Sequence, residues 1–258
     1  MALPKMTTPK YSMIKPSTQK EIEYRPFLVG EEKILLLAGE DGREAEIQKA
    51  VLSLVSACTF GEVGDLTDPL FDIEYAFLKI RGKSVSETVE LKLTCPDDEK
   101  TQIDYKLDTE EVQITMDDKH TNIVKLSDDI TLVMRYPTFK DANVTEESTV
   151  MRLLELVKSC VHEIHFGDEI YNIVDITEQE LDDFFDSMTQ EQFTNVQEFF
   201  TTMPRLRHVI KIKNPKTKVK SEITLEGLQD FFGYLFLTTR FIITIQLFFQ
   251  WHNTIIIV

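Results

Sequence analysis

The residues best equipped for chemistry crowd one short stretch, CVHEIHFGDE, which holds Cys160, His162, His165, Asp168 and Glu169. A thiol, two imidazoles and two carboxylates so close together are what a metal site or a thiol-dependent enzyme needs. The spacing does not follow through. A zincin places its two histidines four apart on one helical face with a glutamate beside the first, whereas His162 and His165 are three apart, and no matching Cys or His pair lies downstream. No glycine-rich phosphate loop, dinucleotide fingerprint or serine nucleophile elbow occurs elsewhere. Paired carboxylates abound, but in so acidic a chain they say nothing about general acid or base catalysis. Clustered aspartates likewise fail to match the alternating calcium loop with its glycine and terminal glutamate. A metal- or thiol-dependent enzyme centred on Cys160, His162 and His165 is therefore the runner-up. The favoured reading has no catalytic residue, metal or cofactor.

A second constellation reverses the local charge. Arg205, Arg207, Lys211, Lys213, Lys216, Lys218 and Lys220 fall in PRLRHVIKIKNPKTKVK without an intervening acid. Asn214-Pro215-Lys216 reads as a turn between two alternating strands, so these residues predict a basic β-ribbon. Such a ribbon is either a solvated or internally paired face, or an electrostatic docking surface for another protein. Single-stranded nucleic acid is a poor third choice, because no base-stacking aromatics are interleaved with the lysines. The formal charge of −16 over 258 residues also argues against a phosphate backbone as partner.

The elements that must position these residues read as α+β. Two alternating runs around Pro16-Ser17-Thr18 predict a β-hairpin within residues 10–28. EEKILLLAG and EIQKAVLSLVSACTF carry helical apolar spacing, and Asp68 or the residues near it can cap a third helix through Phe71, Ile73, Phe77, Leu78 and Ile80. Residues 87–135 then turn β-rich, with ETVELKLTC, TQIDYKL, EVQITM and ITLVMRY separated by acidic turns, the pattern of one antiparallel meander. From Val144 the chain is expected to be helical. Thr177 with Glu180, and Thr189 with Gln192, each spell a capping box at the start of a helix. Leu181, Phe184, Phe185 and Met188 on the first of these helices are expected to face Phe193, Val196, Phe200 and Met203 on the second, with Pro204 stopping the latter. This reading divides the chain into an α+β N-terminal domain with the acidic meander (1–143), a helical domain with the basic ribbon (144–236) and an atypical apolar tail (237–258).

Three cysteines, Cys58, Cys95 and Cys160, are too few and too scattered for a disulfide framework and read as free thiols in a reducing compartment. The N-terminal MALPKMTTPKYSM lacks the apolar core and cleavage site of a secretory signal.

Taken in order, LPKMTTPKYSMIKPST, EYRPFLVGEEKILLLA, DPLFDIEYAFLKIRGKSVSE, ELDDFFDSMTQEQFTNVQEFFTTMPRLRH and ITLEGLQDFFGYLF resemble the successive signatures of the T-even-type myovirus baseplate hub subunit family. The resemblance runs from residue 1 to about residue 236. It implies a tail structural protein or a hub assembly factor that contacts other baseplate hub proteins, in the host cytoplasm during assembly and in the virion baseplate if it stays. It implies no catalytic residue, no nucleic acid and no membrane partner.

The tail stands apart. From Phe231 to Val258 the single charged residue is Arg240, and FLTTRFIITIQLFFQWHNTIIIV shows neither strand alternation nor a clean helical face. A membrane anchor is one reading, although Arg240 falls near its middle. A reading-frame shift is the other. Codons permitted for Phe236 through Ile257, read in the minus-one frame, can yield SHDSFHNYYTTIFPMAQHHNYS, a polar peptide similar to the family's C-terminal continuation. The expectation is a tail foreign to this fold.

Overall fold

Residues 6–41, 43–141 and 149–232 are described by the structure, a computed structural model. They form an α+β molecule of helices and small antiparallel sheets. Two compact units emerge, one from residues 6–115 and 205–232, the other from residues 116–204.

In the first unit the alternation around Pro16 produces the expected hairpin, β1 (Tyr11–Ile14) against β2 (Glu21–Tyr24), with Tyr11 opposite Tyr24. Three helices follow: α1 (Val29–Asp41), α2 (Glu44–Cys58) and α3 (Leu70–Ser84). Helix α3 is the centre of the unit and is buried almost all round, with Ile73, Leu78 and Ile80 fully covered. That is why its polar residues need partners. Asp72 accepts hydrogen bonds from the backbone N–H and hydroxyl of Ser17, and Gly82 packs where an added Cβ would lie 2.7 Å from the Thr109 hydroxyl.

Asp68 does not cap α3. The cap position is Pro69, and the Asp68 carboxylate instead accepts from the Gly64 and Asp65 amides and pairs with Lys15 at 2.6 Å. An Asp just before a helix has several orphan donors within reach, and here the preceding turn takes it.

The expected meander is also redistributed. Strands β3 (Thr88–Thr94) and β4 (Gln102–Asp108) form a separate hairpin, whereas β5 (Gln113–Thr115) leaves its sequence neighbours to pair with Arg205–Arg207. Alternation specifies which face of a strand is buried, not which strand lies beside it.

In the second unit β6 (Ile123–Lys125), β7 (Ile130–Met134), β8 (Val161–Phe166) and β9 (Glu169–Asn172) form one antiparallel sheet in that order. Residues 161–172 thus interrupt the stretch expected to be helical. Helix α4 (Thr149–Ser159) ends just before β8, and Gly167, at φ +59°, makes the tight turn into β9 that a residue with a Cβ resists. A 3-10 turn (Ile173–Asp175), α5 (Glu178–Asp186) and α6 (Gln190–Thr202) complete the unit.

Both capping boxes form as read, and α6 ends two residues before Pro204. Both apolar stripes turn inward: Val196, Phe199 and Phe200 of α6 and Met203 at its C-cap are buried, and Phe193 with Leu181, Phe184, Phe185 and Met188 is half-buried. Phe184 lines a groove with Ile130 and Ile164 of the sheet. Phe199 is the central aromatic: Tyr136 stacks on it, the His120 ring lies tilted against it, and that ring also bonds the Tyr136 hydroxyl at 3.1 Å and Thr202 at 2.9 Å.

The junction read at residues 143 and 144 and the apolar tail 237–258 lie outside the described residues. Among the described residues no helix is long and apolar enough to cross a membrane.

Candidate functional site

The basic stretch folds as a hairpin within the first unit, two strands of a three-stranded sheet that β5 completes. Strand β10 (Arg205–Lys213) pairs with β11 (Lys220–Glu226), and helix α7 (Gly227–Phe232) follows. Strict alternation gives each strand an inner and an outer face. Leu206, Ile210, Ile212 and Leu225 are buried, and Arg207, Lys211, Lys213 and Lys220 point outward.

The seven predicted cations are not equivalent. Arg205 forms a half-buried ion pair with Glu226 at 2.8 Å, and Lys211 lies 3.7 Å from Glu222 on the adjacent strand. These two are internally matched. Lys213, Lys216, Lys218 and Lys220 gather at the tip, all exposed and without a carboxylate partner among the described residues. Arg207 stands outward between Arg205 and Lys211 along β10, opposite Glu226.

The tip is built rather than loose. Asn214 is buried, and its side-chain oxygen accepts from the Lys216 amide at 2.8 Å and the Thr217 amide at 3.3 Å. The Lys218 amide returns to the Asn214 carbonyl, with Lys218 itself at φ +66°. From the β3–β4 turn, Asp97 fastens the loop: its carboxylate accepts from the Asn214 side-chain amide at 3.0 Å and from the Thr217 hydroxyl. Those hydrogen bonds, Thr217 first, hold the Asp97 carboxyl below the usual carboxylate range.

Asp97 is the residue that the sequence concealed. It sits in an acidic turn of the kind that usually serves solubility, 117 positions from Asn214, and nothing in spacing connects the two. A lysine cluster held at fixed separation by such a loop loses little side-chain and backbone freedom when a partner binds, beyond what the lysine stems themselves lose.

The CVHEIHFGDE stretch does not gather into one site. His162 and His165 lie on β8 on either side of Glu163, whose carboxylate is 3.8 Å from the first and 2.8 Å from the second, and a register shift against β7 interrupts the strand's alternation between them. His162 is exposed, and His165 bonds Glu163 at 2.8 Å. Cys160 is buried at the end of α4, and burial pushes its thiol up to about 12, far from a reactive thiolate. Among the described residues no three His, Cys, Asp or Glu side chains are grouped to hold a metal. Cys58, Cys95 and Cys160 are all free and buried.

A family model described as T4 bacteriophage base plate protein matches residues 8–233. The chain belongs to that family. No curated protein and no solved structure matches it. All five signature strings lie wholly or mostly inside the matched residues, and the fifth, ITLEGLQDFFGYLF, runs through α7 and past their end. The lysine tip is thus part of the baseplate protein's matched region, not of the atypical tail.

Proposed function

We propose that this baseplate protein is a hub subunit or hub assembly factor of a contractile phage tail, acting through protein–protein contacts with the ribbon tip as a docking surface. The observation that carries the docking surface is the tip itself: four unpaired lysines on a loop fastened by Asp97, in a chain of net charge −16. An isolated cationic cluster on an acidic protein steers one orientation of approach and disfavours the rest. The hub assignment is supported by the in-order signature strings, which resemble hub subunits.

Tagged protein recovered from infected cells tests this reading. Hub proteins should co-purify, and reversal of the four tip lysines should release them. Recovery of peripheral baseplate proteins alone would overturn the hub assignment. Purified virions separate the two roles, since a hub subunit stays in the particle and an assembly factor does not.

A further inference from the structure

The second unit carries a surface opposite in character to the ribbon tip. Strand β9 is the outer edge of its sheet, and all four of its residues are exposed. Sheet edges are commonly blunted by lysine, proline, a bulge or a covering element. At the other edge, the carbonyls of Lys125 and Leu126 accept side-chain amides of Asn195 and Gln192 from α6. Edge β9, with the sequence EIYN, carries neither lysine nor proline.

The sheet face beside this edge is apolar and incompletely covered. Ile164 and Tyr171 pair across β8 and β9, and Phe166 stands opposite Ile130 on β7. Together with Ile176 and Phe184 they line a groove of about 370 Å³ whose rim includes Asp175 and Glu180. Phe166 is 51% exposed and Tyr171 44%, although their neighbour Leu132 is fully buried. The chain from Asp168 to Asp186, which forms β9, the rim and α5, holds eight carboxylates and no lysine or arginine.

The occupant this groove fits is an extended strand with lysines beside it, and the first unit presents one. Strand β11 is the edge of its own sheet, and Lys213, Lys216, Lys218 and Lys220 cluster where it begins. We propose that the ribbon tip of one copy docks in the β9 groove of a second copy, β11 adding along β9 and the lysines meeting the acidic rim. The inference rests on the reading of the tip as a docking surface and names its partner. Strand addition supplies main-chain hydrogen bonds, and the charge pattern selects orientation and register. The contact joins two different surfaces, so each copy keeps one of each free and association proceeds head to tail, to a closed ring or an open chain.

Sedimentation of the full chain over a range of concentrations and salt provides the test, with two charge-reversed variants. The ribbon variant carries Lys213→Glu, Lys216→Glu, Lys218→Glu and Lys220→Glu. The groove variant carries Glu169→Lys and Asp175→Lys, both exposed and outside the α5 capping box, and circular dichroism checks that each variant folds. Wild type should self-associate, and each variant alone should do so about tenfold or more weakly at low salt. An equimolar mixture should recover association that neither variant shows alone, because the ribbon variant keeps its groove, the groove variant keeps its ribbon, and the two reversed surfaces are complementary in charge. A wild-type protein that stays monomeric, or an association that neither variant weakens, overturns the inference. If self-association is absent while the ribbon variant still loses hub proteins in co-purification, the docking reading stands and only the second copy as partner falls.

Discussion

Lys213 and Lys220 lie directly opposite each other across the β10–β11 ladder, and neither has a carboxylate partner among the described residues. Like charges in that position destabilise a strand pair by roughly 0.2–1 kcal/mol relative to a neutral pair. The proposed docking surface would account for keeping them. Lys220→Glu should therefore raise the melting temperature slightly while weakening association with a hub partner. Reversal of all four tip lysines should remove most of the salt dependence of that association, since a cationic patch is screened over about 8 Å at physiological ionic strength. Unchanged affinity and salt response would reduce the ribbon to a solvated face.

Glu74 is buried in α3, close to Glu226, and accepts a hydrogen bond from the Leu228 amide at the start of α7. Burial dominates and raises its carboxyl to about 8. A raised carboxyl contributes stability that is complete below the unfolded value, near 4.5, and is lost as pH rises through about 8. Between those limits the slope approaches about 1.4 kcal/mol per pH unit. Glu74→Gln keeps an acceptor for the Leu228 amide without the charge. Its melting temperature should exceed that of wild type by a margin that grows from pH 5 to pH 8, read by thermal denaturation across that range. A pH-independent margin would show that Glu74 does not titrate with folding.

The two capping boxes are alike in sequence and unlike in what they support. Thr189 opens α6, which buries Val196, Phe199 and Phe200, whereas Thr177 opens α5, whose Leu181, Phe184 and Phe185 are only half-buried. Thr189→Ala should cost about 1 kcal/mol of global stability. Thr177→Ala should fray α5 locally, seen as faster amide exchange at residues 178–181 with little change in the global transition.

Cys160, His162 and His165 provide a test of the absence of chemistry. Replacement by Ala, Gln and Gln together should leave hub assembly intact, with a stability loss of about 1–3 kcal/mol from the space left by the buried thiol and altered strand packing. Metal analysis of the wild-type protein checks the premise. Stoichiometric zinc, lost in the triple variant, would revive the enzyme reading.

Local chemistry was legible in the sequence wherever neighbouring residues decide the outcome. The β1–β2 hairpin around Pro16, the caps at Thr177 and Thr189, the stop before Pro204 and the ribbon turn at Asn214 all depend on contacts within a few positions. Spacing alone carries such contacts. The strand that carries His162 and His165 was less legible, because the short run VHEIHF is ambiguous between helix and strand until β7 and β9 flank it.

Tertiary structure alone decided which surfaces come together. β5 joins β10 from 90 or so positions away, because an exposed strand edge takes whichever partner the packing brings alongside. Asp97 was indistinguishable from the other turn aspartates until it met Asn214 and Thr217. The seven cations were equivalent in sequence. Cross-strand register matched Arg205 with Glu226 and brought Lys211 near Glu222, leaving four lysines without a carboxylate partner among the described residues. Charge counts are additive along a chain, but ion pairs depend on distances of a few ångströms, and those are set by the register of strands that sequence spacing does not fix.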